Sequence, residues 1–274
     1  MTGVQTCALP IFTPILQEHV DELGPTISHI IQHKLGIIKS NSYAVIGKQQ
    51  TLVHKIITQR LSKHPHTYMY GEDFTVIETS LSKNGTSFHF QTAKNLYKDM
   101  FVPLMGAFQC ENIALSVQTC EVILNKTLEK ERVQQWLHTL QNPGKCEVLH
   151  ADPTIILDAA INEQSAKYLR EIIAHFAPKS VLLVIGLSKD KDYKGIIETL
   201  LADTDKIIIT KPESGYKHFD VHEIFHYSSR LVPTEIIPSL QTAMTHVLQE
   251  LEYELVLILG NHSFIAEAKT FFPQ

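Results

Sequence analysis

The sequence predicts an α/β protein whose carboxyl-terminal half forms a Rossmann-like domain. Two runs, Val181–Gly186 and Leu255–Gly260, are apolar without alternation, which is typical of strands buried on both faces of a sheet. Thr154–Leu157 and Lys206–Thr210 are shorter runs of the same kind, and helical patterns separate all four. Strands that alternate with helices indicate a parallel sheet, and ligands of such sheets bind at the carboxyl ends of the strands.

Helical periodicity fills the intervals around these strands. The predicted helices cover Asn162–Phe176, Tyr193–Leu201, Val221–Arg230, Thr234–Leu251 and Ser263–Phe271.

The amino-terminal part is less regular. A helix over Pro25–Lys34 stops at Gly36, with basic residues in its last turns. Phe74–Thr79 and Ser87–Thr92 alternate like a hairpin around the turn sequence Lys83-Asn84-Gly85. The other predicted elements are strands at Phe12–Leu16 and Tyr43–Gly47 and helices over Thr51–Ser62, Cys110–Leu124 and Glu131–Leu140.

Asn142-Pro143-Gly144 is the strongest breaker in the chain, and we place the domain boundary just after it. This divides the sequence into residues 11–148 and 149–274. A chain of 274 residues is long enough for each part to bury its own core.

Composition excludes several classes of function. A formal net charge of −5 with no Lys/Arg run excludes nucleic acid and an anionic membrane as partners. The apolar runs are too short to span a bilayer, and the first residues do not have the pattern of a signal peptide. Four cysteines without a C-x-x-C pair indicate reduced thiols, so we expect a cytoplasmic protein.

One segment, His222-Glu223-Ile224-Phe225-His226, fits the zinc-protease pattern H-E-x-x-H. Two histidines four residues apart share one face of a helix and can hold zinc, with the glutamate as general base. No third ligand follows at a suitable spacing, and the chain is rich in histidine. We therefore interpret this segment as a chance match on an exposed helix, with a zinc hydrolase as a remote alternative.

Five further residues are candidates for a site. His19 follows a predicted strand, and Lys34 closes a helix; Asn112 falls in the predicted first turn of a helix. Lys145 follows the breaker, and Asp158 ends a buried strand. Each has an ordinary alternative, such as a lysine favoured by the helix dipole or an aspartate that caps a helix.

The order of the motifs around these residues decides between the two interpretations. The sequence contains, in this order, KLGIIK, QCEN, PGK, TIILDAAIN, SKDKDYKGI and a final L-x-L-G. This series resembles the folylpolyglutamate synthase and dihydrofolate synthase family of the Mur-ligase superfamily, from about Ile11 to the end. The resemblance implies that residues 11–148 are the tail of a P-loop-type central ATPase domain and that 149–274 are the Rossmann-like carboxyl-terminal domain. Residues 1–10 match nothing in that family, and we interpret them as an appended leader.

The resemblance also implies a chemistry. Members of the family use ATP and Mg²⁺ to convert a carboxylate into an acyl phosphate, which the amine of L-glutamate then attacks. The implied substrates are folate or dihydropteroate and L-glutamate, in folate biosynthesis and one-carbon metabolism, and we expect a monomer when complete. By this resemblance His19 is a metal ligand, Lys34 carries a carbamate, and Asn112, Lys145 and Asp158 contact ATP. We expect these five side chains to face one cleft.

The chain departs from the family pattern at several of these positions. Phe108 replaces a histidine, Lys145 replaces an arginine, and Ala159, Ile161 and Glu163 replace the glycine, histidine and proline of D-G-A-H-N-P. No G-x-x-x-x-G-K-[ST] occurs in the 274 residues, so the phosphate-binding loop is missing from them. A folate-type ligase fragment that is inactive alone is the leading hypothesis. A non-catalytic relative that binds a nucleotide or a partner is the alternative.

Overall fold

The structure is a computed structural model that describes residues 9–17, 20–160, 162–188, 191–213, 219–249 and 252–272. It divides into two compact units. The first holds residues up to 80, 86–102 and 107–139, and the second holds 81–85, 103–106 and everything from 140 onward.

The first unit is organised around a short parallel sheet in the order β1-β2-β3, with strands β1 (Ile11–Phe12), β2 (Ala44–Ile46) and β3 (Thr67–Met69). Its helices are α1 (Val20–Leu23), α2 (Ile27–Leu35), α3 (Thr51–Leu61), α4 (Ala107–Leu124) and α5 (Lys130–His138). One apolar cluster joins β2 to α2 and α3 through Ile46, Ile30 and Ile57, all fully buried. This cluster fixes where the carboxyl ends of the strands lie.

A second three-stranded sheet has the order β4-β5-β6, with β4 (Thr75–Ser82), β5 (Gly85–Gln91) and β6 (Leu96–Val102). The predicted hairpin is therefore present, and β6 adds a strand that the sequence did not indicate. Helix α5 is tied to β6 because the amide of Gln134 forms two hydrogen bonds with the backbone of Phe101, both 3.0 Å long.

The second unit contains a six-stranded sheet in the order β11-β10-β9-β12-β8-β7. Its strands are β7 (Glu147–Ala151), β8 (Thr154–Asp158), β9 (Val181–Gly186), β10 (Lys206–Ile209), β11 (Thr234–Ile236) and β12 (Leu255–Gly260). All neighbours are parallel except β7, which runs antiparallel to β8. The predicted parallel sheet is confirmed.

Helices cover both faces of this sheet. They are α6 (Glu163–Phe176), α7 (Tyr193–Leu200), α8 (Val221–Ser228), α9 (Leu240–Gln249) and α10 (His262–Lys269). Ile155 and Val184 pack against α9 and α10 in one core cluster. Ile156 and Leu183 point to the opposite face and are also fully buried. Burial on both faces explains why these strands are apolar without alternation.

One predicted helix is wrong at its start. Thr234–Leu251 was expected to be helical, but Thr234–Ile236 is the edge strand β11, and the helix begins only at Leu240. The β-branched residues favour a strand here, and Pro238 separates the strand from the helix.

Candidate functional site

Lys34 lies in the last turn of α2, next to the helix end at Gly36, as the sequence predicted. Thr26 caps the start of this helix, and its side chain accepts a hydrogen bond from the backbone N–H of His29. The Lys34 side chain is half-buried. His19, the predicted metal ligand, lies outside the described residues.

Asn112 lies on α4 and is exposed. The helix begins at Ala107, three residues before the predicted start, so Asn112 occupies the second turn and not the first. The preceding Gly106 has a φ of 105°, a conformation that favours glycine, and this turn leads the chain into the helix.

An ion pair at the carboxyl end of β2 was missed by the sequence interpretation. The Lys48 ammonium donates to Oε1 of Glu111 at 2.7 Å, and Glu111, adjacent to Asn112 on α4, is largely buried. The two residues are 63 positions apart, so no local pattern could have paired them. A lysine directly after the Ile46-Gly47 strand end was the available signal.

Lys145 and Asp158 lie together at one end of the six-stranded sheet. Asp158 is the last residue of β8 and is buried, as predicted. The 144–146 turn packs onto it: the Ala159 amide donates to the Gly144 carbonyl at 2.8 Å, and Lys145 Nζ donates to the Ala159 carbonyl at 3.1 Å. The Cys146 backbone N–H completes this junction by donating to Asp158 Oδ2 at 2.8 Å.

Asp158 does not cap the following helix, which was its ordinary alternative. The residue that caps α6 is Asn162, whose side chain accepts a hydrogen bond from the Ser165 amide at 2.9 Å. Oδ2 of Asp158 is therefore bound by the 144–146 turn and does not cap α6.

Opposing effects act on the pKa of Asp158. Burial raises the pKa of this carboxyl, while the positive charge of Lys145 and the hydrogen bonds from Cys146 lower it. His262, at the start of α10, also lowers the Asp158 pKa through its charge. A buried carboxylate next to a lysine at the carboxyl end of a parallel strand is an arrangement suited to ligand binding.

The His222-Glu223-Ile224-Phe225-His226 segment forms α8, as expected, with both histidines exposed. Glu223 accepts a hydrogen bond from the Tyr193 hydroxyl at 2.9 Å, and His226 bonds to Arg230. Within the described ranges, no three His, Cys, Asp or Glu side chains are grouped so that they could hold a metal ion.

Of the predicted site residues, the structure brings Lys145 and Asp158 together in the second unit. Lys34 and Asn112 lie on separate helices of the first unit. That all of them face one cleft stays a prediction.

Comparison with known proteins shows the family. The model of the Mur ligase middle domain matches residues 4–120, and that of the Mur ligase glutamate ligase domain matches residues 144–262. The chain belongs to the Mur ligase family. The resemblance noted in the sequence is thereby confirmed.

The similar proteins narrow the branch of this family. The chain is 28% identical over 280 residues to a dihydrofolate synthase/folylpolyglutamate synthase of Bacillus subtilis, covering 98% of this chain and 63% of the relative. A Mycobacterium tuberculosis protein of the same description is 27% identical over 221 residues, covering 76% of this chain and 45% of the relative. This Mur ligase chain therefore spans only part of the length of these relatives.

Solved structures confirm the fold. The folylpolyglutamate synthase of Mycobacterium tuberculosis, complexed with ADP and AMPPCP, superposes with a TM-score of 0.84 at 23% identity, covering 98% of this chain and 65% of that one. An FPGS–AMPPCP–folate complex superposes with a TM-score of 0.76 at 21% identity, covering 98% of this chain and 62% of that one. Among the described helices of this Mur ligase, none combines the length and hydrophobicity needed to cross a membrane.

Proposed function

We propose that this chain is part of an ATP-dependent ligase that adds L-glutamate to the carboxylate of a folate or dihydropteroate through an acyl phosphate. The observation that carries the proposal is the match of two Mur ligase domains in a chain whose relatives are folylpolyglutamate and dihydrofolate synthases. The cluster of Lys145 and Asp158 supports it, because a cation and an acceptor lie together at the carboxyl end of a parallel strand, the end at which such sheets bind ligands.

Each candidate residue has a role that fits its chemistry. Asn112 is exposed and can offer both a donor and an acceptor to the edge of adenine. Lys145 supplies a positive charge for phosphate, and Asp158 accepts hydrogen bonds from neutral donors. Lys34 is proposed to carry a carbamate, whose negative charge would help to hold a cation beside His19.

Magnesium fits this arrangement only together with a nucleotide. The described residues contain no cluster of three protein ligands. Mg²⁺ in phosphate-transferring enzymes is bound by one or two protein groups and by the phosphates themselves. The ion would neutralise the charge that develops as phosphate is transferred.

Nucleotide binding is the first test. We expect ADP with Mg²⁺ to bind the 274-residue chain in isothermal titration calorimetry. Lys145→Met should weaken binding about tenfold or more, because a lost hydrogen bond to a charged group costs about 1.5–3 kcal/mol. Asn112→Ala should weaken binding about three- to tenfold, because a hydrogen bond between neutral groups contributes about 0.5–1.5 kcal/mol. Lys63→Met, which removes an exposed lysine distant in sequence from every candidate, should bind like the wild type.

Absence of ADP binding at millimolar concentration, or equal affinity in all four proteins, would refute the proposal.

Intact-mass spectrometry in bicarbonate tests the carbamate separately. A mass increase lost in Lys34→Met is expected, and a free amine under all conditions would exclude the carbamate.

A non-catalytic relative that binds a nucleotide is the second candidate. It is favoured by the altered D-G-A-H-N-P motif, in which Ala159, Ile161 and Glu163 replace the glycine, histidine and proline. We expect no ATP turnover by this chain alone. An in-frame G-x-x-x-x-G-K-[ST] in the coding sequence before Met1 would favour the ligase over this candidate, and sustained ATP hydrolysis by the 274 residues would show the expected inactivity to be wrong.

A further inference from the structure

Cys146 makes a contact that no motif predicts. It follows Lys145 directly and is only 2% exposed. Both of its donors reach the same atom: the backbone N–H lies 2.8 Å and the thiol 3.3 Å from Oδ2 of Asp158.

The Cys146 thiol is not suited to a reactive role. Burial raises its pKa well above the ordinary value, and the negative charge of Asp158 raises it further. The thiol therefore stays protonated at neutral pH, where it is a poor nucleophile and a poor metal ligand. What remains is its capacity to donate a hydrogen bond.

The backbone of Cys146 is strained in a way that maintains this contact. Its φ is 50°, in the left-handed region, where a residue other than glycine costs roughly 1–2 kcal/mol. Gly144, two residues earlier, also has a positive φ of 71°. This turn directs both Cys146 donors at the carboxylate, and strain of this kind is concentrated at functional sites.

The contact leaves one oxygen of Asp158 for another partner. Within the described part of the chain, only Cys146 donates hydrogen bonds to this carboxylate, and both go to Oδ2. A carboxylate repels phosphate groups, so its partner on a nucleotide must be a neutral donor. The ribose hydroxyls are donors of this kind, whereas Lys145 beside them suits the phosphates.

We propose that Cys146 is a positioning residue that fixes the Asp158 carboxylate so that Oδ1 receives a hydrogen bond from a ribose hydroxyl of the bound nucleotide. This inference rests on the nucleotide binding proposed above. The thiol acts only through Asp158 and does not itself touch the ligand.

The test compares Cys146→Ala, Cys146→Ser and the wild type in calorimetric titrations with ADP and with 2′,3′-dideoxy-ADP. Cys146→Ala should bind ADP about tenfold more weakly, and Cys146→Ser, which keeps a donor, should stay within about threefold of the wild type. With the dideoxy nucleotide, the wild type and Cys146→Ala should bind equally, because the hydroxyls that Asp158 accepts from are missing.

Cys146→Gly is a second variant that keeps the test valid if Cys146→Ala does not fold. Glycine adopts a positive φ without strain, so this variant removes the thiol while favouring the turn. It should show the same selective loss for ADP as Cys146→Ala. A ¹³C titration of the Asp158 carboxyl adds a readout without ligand: its pKa should rise in the alanine and glycine variants and return toward the wild-type value in the serine variant.

The outcomes separate the two proposals. Wild-type affinity for ADP in Cys146→Ala and Cys146→Gly, or an equal loss for both nucleotides, would overturn the positioning role while leaving the proposed function intact. No binding of ADP by the wild type would overturn the proposed function and, with it, the ribose contact. An unchanged Asp158 titration in all variants would independently overturn the positioning role.

Discussion

Replacing Tyr97 by phenylalanine should destabilise the first unit strongly, because its hydroxyl satisfies a buried carboxylate. Tyr97 and Glu121 are fully buried, and the hydroxyl donates to Glu121 Oε1 at 2.6 Å. Without it, Oε1 keeps a single donor, the Leu128 amide at 3.2 Å, while Oε2 has no hydrogen-bond partner in the described structure. The phenylalanine ring can still stack on Phe90, whose ring centroid lies 4.7 Å away.

The expected loss is about 3 kcal/mol. A hydrogen bond to a charged group contributes about 1.5–3 kcal/mol, and the upper end applies because the carboxylate remains buried. For a chain of this size the loss corresponds to a decrease of about 6–12 °C in melting temperature. Urea unfolding followed by the fluorescence of Trp136, the only tryptophan, measures this loss of stability, because Trp136 lies in the same compact unit as Tyr97.

The matched control is Tyr68→Phe, since Tyr68 lies on β3 and its hydroxyl makes no hydrogen bond to a described residue. It should change stability by less than about 0.5 kcal/mol. Equal stability of Tyr97→Phe and Tyr68→Phe would refute the reasoning.

The effect of Tyr97→Phe should also depend on pH. Burial, followed by the bond to Glu121, raises the Tyr97 pKa above the unfolded value of about 10. The neutral phenol therefore stabilises the fold fully below about pH 10, and this stabilisation is lost as the pH rises toward the folded pKa. The difference between the variant and the wild type should narrow in alkaline solution.

Three further predictions concern the conformation of Gly144, the metal content of the protein and the charge of Asp158. Gly144→Ala should lower the free energy of unfolding in urea by about 1–3 kcal/mol, because the φ of Gly144 is 71° and the new Cβ would lie 2.9 Å from Ile265. Gly71→Ala is the control: its φ is 89° but the space around it is open, so it should lower stability only by the backbone strain. Purified protein should contain less than stoichiometric zinc, and His222→Ala should not change the metal content measured by mass spectrometry; stoichiometric zinc lost in that variant would revive the hydrolase. Asp158→Asn should unfold at higher urea than the wild type at neutral pH, with the gap closing below about pH 4: burial raises the folded pKa of Asp158, so the ionised wild type loses stability as the pH rises. A gap that is the same at both pH values would contradict this.

The sequence predicted the second unit well because its strands are buried on both faces. Val181–Gly186 and Leu255–Gly260 are strands with the predicted boundaries, since uniform hydrophobicity ends where burial ends. Strand β6 was not predicted, because Lys98 and Asp99 interrupt its alternation, and Asp99 has a φ of 56°. The edge strand β11 was included in a predicted helix, although the helix begins only after Pro238.

The sequence predicted those site residues whose position next to a strand end or a breaker can be recognised from local sequence. Asp158 at a strand end and Lys145 after a breaker carry signals that a single sequence contains. The sequence does not show that Lys48 pairs with Glu111 or Cys146 with Asp158, because only the fold brings these residues together. The position of Lys48 after a strand end was the one signal available for the first pair. A lone buried cysteine is indistinguishable in sequence from a small core residue.

The departures from the family motif at this strand end matter less than the letters suggest. Ala159 stands where the family has glycine, yet the junction uses only its backbone N–H and carbonyl, and its methyl group joins the core. Lys145 keeps the positive charge of the family's arginine and uses its ammonium to hold the same junction. Strand β12 lies beside β8, so His262 at its end places an imidazole near enough to act on the charge of Asp158. Since backbone and charge are retained although the side chains differ, the altered motif is compatible with the proposed nucleotide site. Both the ligase and its non-catalytic relative would then bind ADP, so an in-frame phosphate-binding loop in the upstream coding sequence decides between them.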